Sequence, residues 1–361
     1  MPSLHNTLLW SCLQVLTRPR FEALLEVYGT LDEAAKHVDE TLLRNLGCRE
    51  ETVAKVMDRL GKFDAEKEEH LLHSVEARLT ALTDDNYPER LRDLPDAPAF
   101  LYARGDLSIA RRTGIAVVGT RRMSAYGKRV TQNFTSALAH AGLTTVSGLA
   151  KGVDACVAEE TMATGMRTIA VLGHGLLATS PSTRRDLLER IVGSGGLVLS
   201  EFPMTFPADT FTFPQRNRIV AGLSLATLVT EAPEGSGALI TAKMAFDYGR
   251  DAYAVPGPIF DPNYAGCHQL IASNKARLVG SPEELLRELN VLPPDPESRV
   301  TFEPRNDEER RVYDVLTSMP QSVDDLVELC GLPSGSIGST LTILELQSIV
   351  KNLGQGQWIR N

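Results

Sequence analysis

Two clusters of arginine have the residue types and spacing best suited to binding an anion. Arg121 and Arg122 follow a Gly-Thr pair, and Arg216 and Arg218 flank Asn217. A guanidinium group stays charged throughout the physiological pH range and donates two parallel hydrogen bonds to a phosphate. We therefore expect both clusters to bind phosphate groups.

The second arginine cluster is predicted to open an apolar helix at residues 219–223, and aromatic residues precede the cluster. Phe211 and Phe213 lie just upstream of it, and such rings stack on unpaired nucleobases. The alternative is a structural role, in which the arginines of this cluster pair with Glu201 or Glu231. Phosphate binding and base stacking together would indicate a nucleic-acid ligand.

The first arginine cluster lies in a turn between a buried strand and a helix. Residues 115–118 (IAVV) form a continuous apolar run, which is typical of a parallel strand covered on both faces. Gly119 ends the run, and amide groups at the start of the following helix would point outward, where the helix dipole favours an anion. A second strand, at residues 144–147, ends in a Ser-Gly turn. Two strand ends should therefore offer backbone amides side by side.

The sequence of the turn argues against two common nucleotide sites. A dinucleotide site needs GxGxxG here and an acid about 20 residues later, whereas the turn reads GTRR and the second strand ends in Ser147. The phosphate-binding pattern GxxxxGK[ST] has no match, because Gly127-Lys128 is followed by Arg129. We therefore expect no cofactor.

Composition is that of a soluble globular chain. The 361 residues are 43% hydrophobic and 23% charged, which suits two to three domains. The five cysteines are widely spaced and form no CxxC pair, so we expect no disulfide, no metal site and a cytoplasmic location. No basic leader or long apolar run indicates export or a membrane span.

Charge is distributed unevenly along the chain. The net charge of −9 argues against a nucleic-acid ligand, yet residues 104–129 contain seven basic residues and one acid. An acidic protein with one basic face can still bind a polyanion, with an affinity that falls as salt rises. The position of this run on the anion-binding turn favours such a ligand.

The chain divides into four predicted segments. Residues 1–78 are read as short helices of a SAM-like or helix-hairpin-helix domain, with protein and DNA equally open as its partner. Residues 79–285 begin with a proline-rich connector that ends in a strand at 100–103, and then predict a doubly wound, Rossmann-like α/β domain that binds ligands at the carboxyl ends of its strands. The predicted strands of its sheet are residues 115–118, 144–147, 168–172, 197–200, 226–230 and 252–255.

The remaining segments are a linker at residues 286–305 and a winged-helix domain at residues 306–361. The recognition helix of that domain, predicted at residues 336–346, contains no Lys or Arg. A helix that reads bases in a groove needs such donors. We therefore expect this domain to bind DNA poorly or to bind protein.

Several glycine-rich and arginine-containing motifs follow one another over roughly residues 85–280. In chain order they read VVGTR, SxYG, VSGLAKGVD, TIAVLGHG, LSEFP, FPQRNRIVAGLS, VTEAPEGSGALITAKMA, GRDAYAVPG and GCHQLI. Their order resembles the DprA (Smf) family of DNA-processing proteins, many of which carry similar flanking domains. The resemblance implies a cytoplasmic bacterial protein that binds incoming single-stranded DNA in natural transformation, forms homodimers, protects the strand and helps to load the recombinase RecA.

The resemblance also implies which residues contact DNA, and most of them lie at predicted strand ends. Three further residues complete the predicted site from the residue pattern alone, namely Arg122, Lys151 and Phe213. The residues implied by the family motifs are Gly119, Thr120, Arg121, Ser147, Gly148, Gly152, Arg216, Asn217, Arg218, Ser236, Gly237, Thr241 and Lys243.

The sequence departs from the family pattern in three places. Ala158 stands where the family has histidine, His268 where it has asparagine, and Asn274-Lys275 where it has Gly-Ala. These changes put in doubt any chemistry that needs the missing histidine. They leave the glycines and arginines of the predicted site in place.

Two other functions compete with strand binding. A phosphoribohydrolase acting on nucleoside monophosphates has the same architecture, but the turn at residues 234–241 lacks the acid of its PGGxGTxxE motif. Glu201, Glu231 and Asp154 are its candidate general bases, and His174, between two glycines, suits a turn better than catalysis. The other alternative is a recombination mediator that contacts mainly RecA. We expect a binding protein and not an enzyme.

Overall fold

The computed structural model describes residues 3–178, 185–291, 304–317, 320–347, 349–354 and 356–360. It divides the chain into two compact units, Met1–Pro294 and Asp295–Asn361, which are described separately. The predicted domain boundary at residue 78 stays a prediction. Most of the predicted linker, residues 292–303, lies outside the described residues.

A nine-stranded sheet forms the centre of the first unit. The strand order is β1-β2-β6-β5-β4-β3-β7-β8-β9. The pairs β1–β2 and β2–β6 are antiparallel, and all later neighbours are parallel. The strands are β1 (Ala77–Ala81), β2 (Phe100–Gly105), β3 (Gly114–Val118), β4 (Thr144–Ser147), β5 (Thr168–Leu172), β6 (Leu197–Ser200), β7 (Ser224–Val229), β8 (Asp251–Ala254) and β9 (Arg277–Leu278).

The chain reverses its direction of travel through the sheet at β3. Strands β4, β5 and β6 succeed one another on one side of β3, and β7 then returns to pair with its other side. The loops after β3 and β7 therefore separate towards opposite faces, which opens a crevice at the carboxyl edge. The doubly wound prediction is confirmed.

Among the residues that the structure describes, eight helices surround this part of the sheet. The two faces of β3 pack against different helices. Ile115 and Val117 share an apolar core with Phe134 of the helix that follows β3, whereas Ala116 and Val118 share a core with Ile219 of the helix that precedes β7. This alternation explains why the whole strand is apolar. The helices are α7 (Glu89–Arg92), α8 (Ala125–His140), α9 (Val153–Ala163), α10 (Arg185–Gly193), α11 (Thr212–Leu223), α12 (Gly237–Asp247), α13 (Ala265–Ala272) and α14 (Pro282–Glu288).

In the part of the chain that the structure describes, six further helices precede the sheet and pack against its antiparallel edge. Trp10 and Leu13 belong to the same apolar core as Leu101 of β2, and the ring of Phe21 meets that of Phe100 edge-on at 6.0 Å between centroids. The helical region is thus joined to the sheet through a shared core. The helices are α1 (Leu4–Leu13), α2 (Arg18–Tyr28), α3 (Leu31–Ala35), α4 (Glu40–Asn45), α5 (Glu50–Lys62) and α6 (Ala65–His73).

The second unit has the element order of a winged helix. A capping box formed by Ser322 and Asp325 starts its second helix, and Trp358 of the hairpin packs with Leu341 in the core. The predicted winged-helix class is confirmed, with the third helix starting two residues earlier than predicted. The elements are α15 (Asp307–Val315), β10 (Gln321–Ser322), α16 (Val323–Cys330), α17 (Ser334–Leu346), β11 (Val350–Gly354) and β12 (Gln357–Arg360), with the strands ordered β10-β12-β11.

Across the described ranges, no helix is both long enough and apolar enough to cross a membrane.

Candidate nucleic-acid interface

A cavity of about 610 Å³ opens at the carboxyl edge of the sheet, beside β3 and β7. We call it the strand-end cavity. The loops that follow β3, β4 and β7 form its walls, and α11 lies across it. The cavity brings together residues that are far apart in the sequence. Among the predicted site residues, those that line it are Gly119, Thr120, Arg121, Arg122, Gly148, Phe213, Arg216, Asn217, Ser236, Gly237 and Thr241.

The loop after β3 is locked to the start of α9. The amide of Val153 donates to the carbonyl of Thr120 at 3.1 Å, and the amide of Thr120 donates to the carbonyl of Glu231 at 2.8 Å. Gly152 has φ +83°, and a Cβ atom there would lie 2.3 Å from the Thr120 oxygen. Only glycine fits, because both the left-handed backbone and the close approach exclude a side chain. The position of Arg121 in the loop therefore depends on Gly152.

The start of α8 is occupied by a carboxylate of the protein itself. Both carboxylate oxygens of Glu231 lie 3.1 Å from the amide of Ser124, and one accepts from the Ser124 hydroxyl at 3.0 Å. Glu231 is fully buried, and burial raises the pKa of its carboxyl group. The expectation that this helix start binds a ligand anion is thus wrong for the Ser124 amide, because Glu231 already takes the position that the helix dipole favours.

The start of α12 does line the cavity. Ser236 caps the helix by accepting from the amide of Ala238 at 3.4 Å, and Gly235 before it has φ +72°. Gly237 is exposed and begins an 11-residue helix, so its first turn points the positive end of the dipole at the cavity.

Arg121 and Phe213 meet at the mouth of the cavity. The guanidinium carbon of Arg121 lies 4.9 Å from the centre of the Phe213 ring, in a cation–π contact. Arg121 and the adjacent Arg122 are exposed, and Phe213 is half-buried. In this arrangement the guanidinium group of Arg121 can bind a phosphate while the Phe213 ring stacks on a base.

Arg216 has a different environment from the exposed arginines. Its side chain is 4% exposed, and Nη1 donates to the carbonyl of Gly148 at 2.5 Å and to that of Val171. A Cβ at Gly148 would lie 2.5 Å from Nη2. Burial lowers the pKa of Arg216 to about 10, against the opposing effect of Asp154. The buried guanidinium therefore fixes the ends of two strands.

The second arginine cluster does not open a helix as predicted. Helix α11 begins at Thr212, so residues 216–218 lie in its second turn. The predicted placement at the helix start is wrong, because Asp209 and Thr212 start the helix earlier: the Thr212 hydroxyl donates to the Asp209 carbonyl at 2.8 Å and accepts from the Asp209 amide at 3.1 Å.

Arg218 is not brought into the cavity. Its Nη2 pairs with Oε2 of Glu201, and its Nε lies 3.9 Å from Asp96. With Glu201 and Gln215 it lines a separate cavity of about 680 Å³ against the N-terminal helices. This contact matches the structural pairing with Glu201, and a DNA contact by Arg218 stays a prediction.

Four other predicted residues lie outside the cavity lining. Ser147 is buried, and its hydroxyl donates to the carbonyl of Val117 at 2.8 Å. Gly152 lies behind the loop of Arg121. Lys151 and Lys243 are exposed and are available to a strand that extends beyond the cavity. Their roles as DNA contacts stay predictions.

The three candidate general bases do not converge. Glu231 is bound to Ser124, and Glu201 faces the other cavity. Asp154 lines the strand-end cavity at 8% exposure, where burial raises its pKa and Arg216 opposes the shift. His174 is buried with Nδ1 2.9 Å from the carbonyl oxygen of Gly175, and burial lowers its pKa.

The departures from the family pattern also lie away from the cavity lining. Ala158 is buried in α9. His268 places Nε2 3.1 Å from the carbonyl oxygen of Gly257. Asn274 has φ +54°, and Lys275 follows it. The cavity walls are therefore formed without them.

Several apolar residues line the cavity and were missing from the predicted site. Pro214, Val220 and Ile240 lie among its walls. Nothing in residue type marked them, because an apolar residue in a helix is most often part of the core. Only the packing of α11 and α12 across the sheet edge places them at the cavity.

A family model described as DNA recombination-mediator protein A matches residues 78–290, which is more than half of the chain. The chain belongs to the DprA (Smf) family. A second DprA model, described as the DprA winged helix domain, matches residues 293–356. The predicted family resemblance is confirmed.

Relatives in the DprA family align over most of the chain. The sequence is 34% identical over 320 residues to Protein Smf of Escherichia coli (strain K12), covering 86% of this chain and 84% of that protein. It is 37% identical over 262 residues to the DNA processing protein DprA of Streptococcus pneumoniae (strain ATCC BAA-255 / R6), covering 71% of this chain and 90% of that protein.

Solved DprA structures share the fold. The X-ray structure of DprA from Streptococcus pneumoniae superposes with a TM-score of 0.67 at 32% identity, covering 80% of this chain and 98% of that chain. A structure of DprA from Helicobacter pylori, described as revealing a single-stranded DNA binding mode, gives a TM-score of 0.54 at 26% identity and covers 60% and 96%.

Proposed function

We propose that this protein binds single-stranded DNA without sequence preference, in the cavity at the carboxyl edge of β3 and β7. The observation that carries the proposal is the contact of exposed Arg121 with the ring of Phe213 at the cavity mouth. Single-strand sites combine cations that follow the backbone with aromatic rings on which bases stack. The single-stranded DNA binding described for the Helicobacter pylori relative supports the same ligand.

The groups in the cavity divide into two kinds of contact. Arg121, Arg122 and the start of α12 would hold phosphates, and Phe213 would stack on a base. Arg216 would act from behind the surface, because its guanidinium fixes the loop of Gly148. None of these groups selects one base edge over another, which fits a ligand of any sequence.

The second unit does not recognise duplex DNA in the function that we propose. Helix α17 has the sequence SGSIGSTLTILEL and carries no basic side chain for base edges or phosphates. A winged helix that recognises duplex DNA places such donors on this helix. We propose that this domain contacts protein, and that the N-terminal helices form the separate SAM-like domain predicted from the sequence.

The wider role that we propose follows from membership of the DprA family. The protein would act in the cytoplasm as a homodimer, protect incoming single-stranded DNA in natural transformation and help to load RecA. These partners are inferred from the family and not from contacts in the structure. They define the setting in which the strand-binding cavity would work.

Competition between single-stranded and duplex DNA tests the proposed ligand. A labelled thymidine oligomer is bound by the full-length protein and displaced by unlabelled single strand or by duplex of the same length. We expect the single strand to compete at least about tenfold more strongly, because base stacking on Phe213 needs an unpaired base. Equal competition by the duplex would contradict the proposal.

A further inference from the structure

An exposed apolar pair lies in the loop after β8. Phe260 is 93% exposed and Ile259 is 78% exposed. Isolated exposed apolar residues are common in soluble proteins, but adjacent ones that border a polar cavity can mark an interaction site.

The base of the loop is rigid. A Cβ at Gly257 would lie 2.1 Å from the Tyr264 ring, so the backbone wraps tightly over that ring. The amide of Tyr264 donates to the carbonyl of Asp261 at 3.0 Å, and Asp261 caps the following turn through the amide of Asn263 at 2.9 Å. Phe260 therefore projects to solvent from a fixed support.

An aromatic side chain of α8, Tyr126, lies against the same support, and a cationic side chain of α8, Arg129, lies against Tyr126. The Tyr126 ring meets the Tyr264 ring at 5.8 Å, with 64° between their planes, and is 39% exposed. The guanidinium carbon of Arg129 lies 5.8 Å from the Tyr126 ring. We call Tyr126, Arg129 and Phe260 the aromatic platform.

The platform borders the strand-end cavity. Tyr126 follows two residues after Ser124, which is bound to Glu231 at the end of β7. On the other side, the amide of Gly266 donates to the carbonyl of Ala232 at 2.9 Å. The adjoining residues 233–237 line the cavity, so both sides of the platform are anchored to its rim.

We propose that the aromatic platform is a second contact surface for single-stranded DNA, over which the strand leaves the cavity across the start of α8. Tyr126 and Phe260 stack on bases, and Arg129 meets the phosphate between them. Exposed aromatic rings interleaved with arginine suit a flexible polyanion with accessible base faces. This inference rests on the proposed strand binding at Arg121.

The chemistry of the platform favours DNA over a second copy of this chain. A subunit interface built only from Ile259 and Phe260 would need no cation, whereas the charge of Arg129 complements a phosphate. A subunit contact is nevertheless one of the outcomes that the experiment separates.

Binding of oligomers of two lengths to the Phe260→Ala variant tests the platform. A thymidine oligomer of about 5 nucleotides fills the cavity alone, and one of about 12 reaches the platform. We expect Phe260→Ala to weaken binding of the longer oligomer about tenfold and to leave the shorter one unchanged, because one stacked base is lost. Tyr126→Ala should have the same length dependence.

Phe246→Ala is the matched control. Phe246 is 54% exposed and lies in the last turn of α12, about 8 Å along that helix from Thr241, the last residue of α12 that lines the cavity. The Phe246→Ala variant should bind both oligomers with wild-type affinity. Equal effects of Phe260→Ala on both lengths, or no effect on either, would overturn the platform.

Two further readouts separate the remaining explanations. If Phe260→Ala changes the oligomeric state in sedimentation and leaves DNA affinity intact, Phe260 is a subunit contact and the inference is overturned. If Arg121→Ala weakens binding of both oligomers while Phe260→Ala weakens binding of neither, only the proposal for the aromatic platform is overturned. If Arg121→Ala also has no effect, the proposed function itself fails.

Discussion

Replacing Arg218 with alanine is expected to lower the free energy of unfolding by about 3–5 kcal/mol. The Arg218 and Glu201 side chains are 11% and 7% exposed, and they pair through Nη2 and Oε2. Removal of the guanidinium leaves a buried carboxylate without its cation, which is among the most destabilising single changes. Equilibrium urea denaturation of the full-length protein measures the loss.

The same variant should regain stability in acid. Burial raises the pKa of Glu201 above its unfolded value of 4.5, and Arg218 opposes the shift. Without Arg218 the pKa rises further, so the folded state takes up a proton at higher pH than the unfolded state. The deficit of Arg218→Ala relative to wild type is therefore full above the raised pKa of Glu201 in the folded variant, and it shrinks as pH falls from there to the pKa of Glu201 in the folded wild-type protein.

A double variant is the control for this buried pair. Arg218→Met combined with Glu201→Gln removes both charges at nearly constant volume, and we expect it to recover most of the loss. A single-variant loss below about 1 kcal/mol, as for an exposed pair, would show that Arg218 and Glu201 are not a buried ion pair.

Replacing Gly152 with alanine is expected to weaken binding of single-stranded DNA by about 10- to 100-fold, the equivalent of one or two lost stacking or phosphate contacts. The new Cβ would lie 2.3 Å from the Thr120 oxygen and 2.8 Å from the Arg121 Cα. The loop of Arg121 must move, and its contact with Phe213 is lost. Fluorescence anisotropy with a labelled thymidine oligomer measures the affinity.

Gly165→Ala is the matched control for backbone strain. Gly165 has φ +75°, close to that of Gly152, and a Cβ there meets nothing within 4 Å. Gly165→Ala should lose about 1 kcal/mol of stability from its positive φ. Gly152→Ala should lose more, because its Cβ also displaces the backbone of residues 120 and 121, and only Gly152→Ala should lose affinity. Similar affinities for the two variants would remove the link between Gly152 and the Arg121 loop.

The parallel strands were predictable because burial on both faces leaves a continuous apolar run. Residues 115–118 are the clearest case, and β4, β5 and β6 begin and end where the sequence predicted. Strand β1 was missed, because its antiparallel partner β2 supplies the pairing from across a proline-rich connector.

The site was predictable to the level of its loops and not of its side-chain contacts. The glycines and Arg121 lie at strand ends, where a doubly wound sheet binds ligands. The roles of Arg216 and Glu231 depend on partners far along the chain: Gly148 is 68 residues from Arg216, and Ser124 is 107 residues from Glu231. Residue type and spacing cannot separate a buried guanidinium from an exposed one.

The salt dependence of DNA binding by Arg121→Ala tests the central claim most directly. Arg112→Ala is its control, because Arg112 is also exposed but precedes β3, whose length places Arg112 at least about 13 Å from the cavity end of that strand. We predict that the slope of log K on log salt falls in magnitude by about 0.7 for Arg121→Ala, the value of one phosphate contact on a single strand, and is unchanged for Arg112→Ala. Wild-type slope and affinity in Arg121→Ala would contradict strand binding at this cavity.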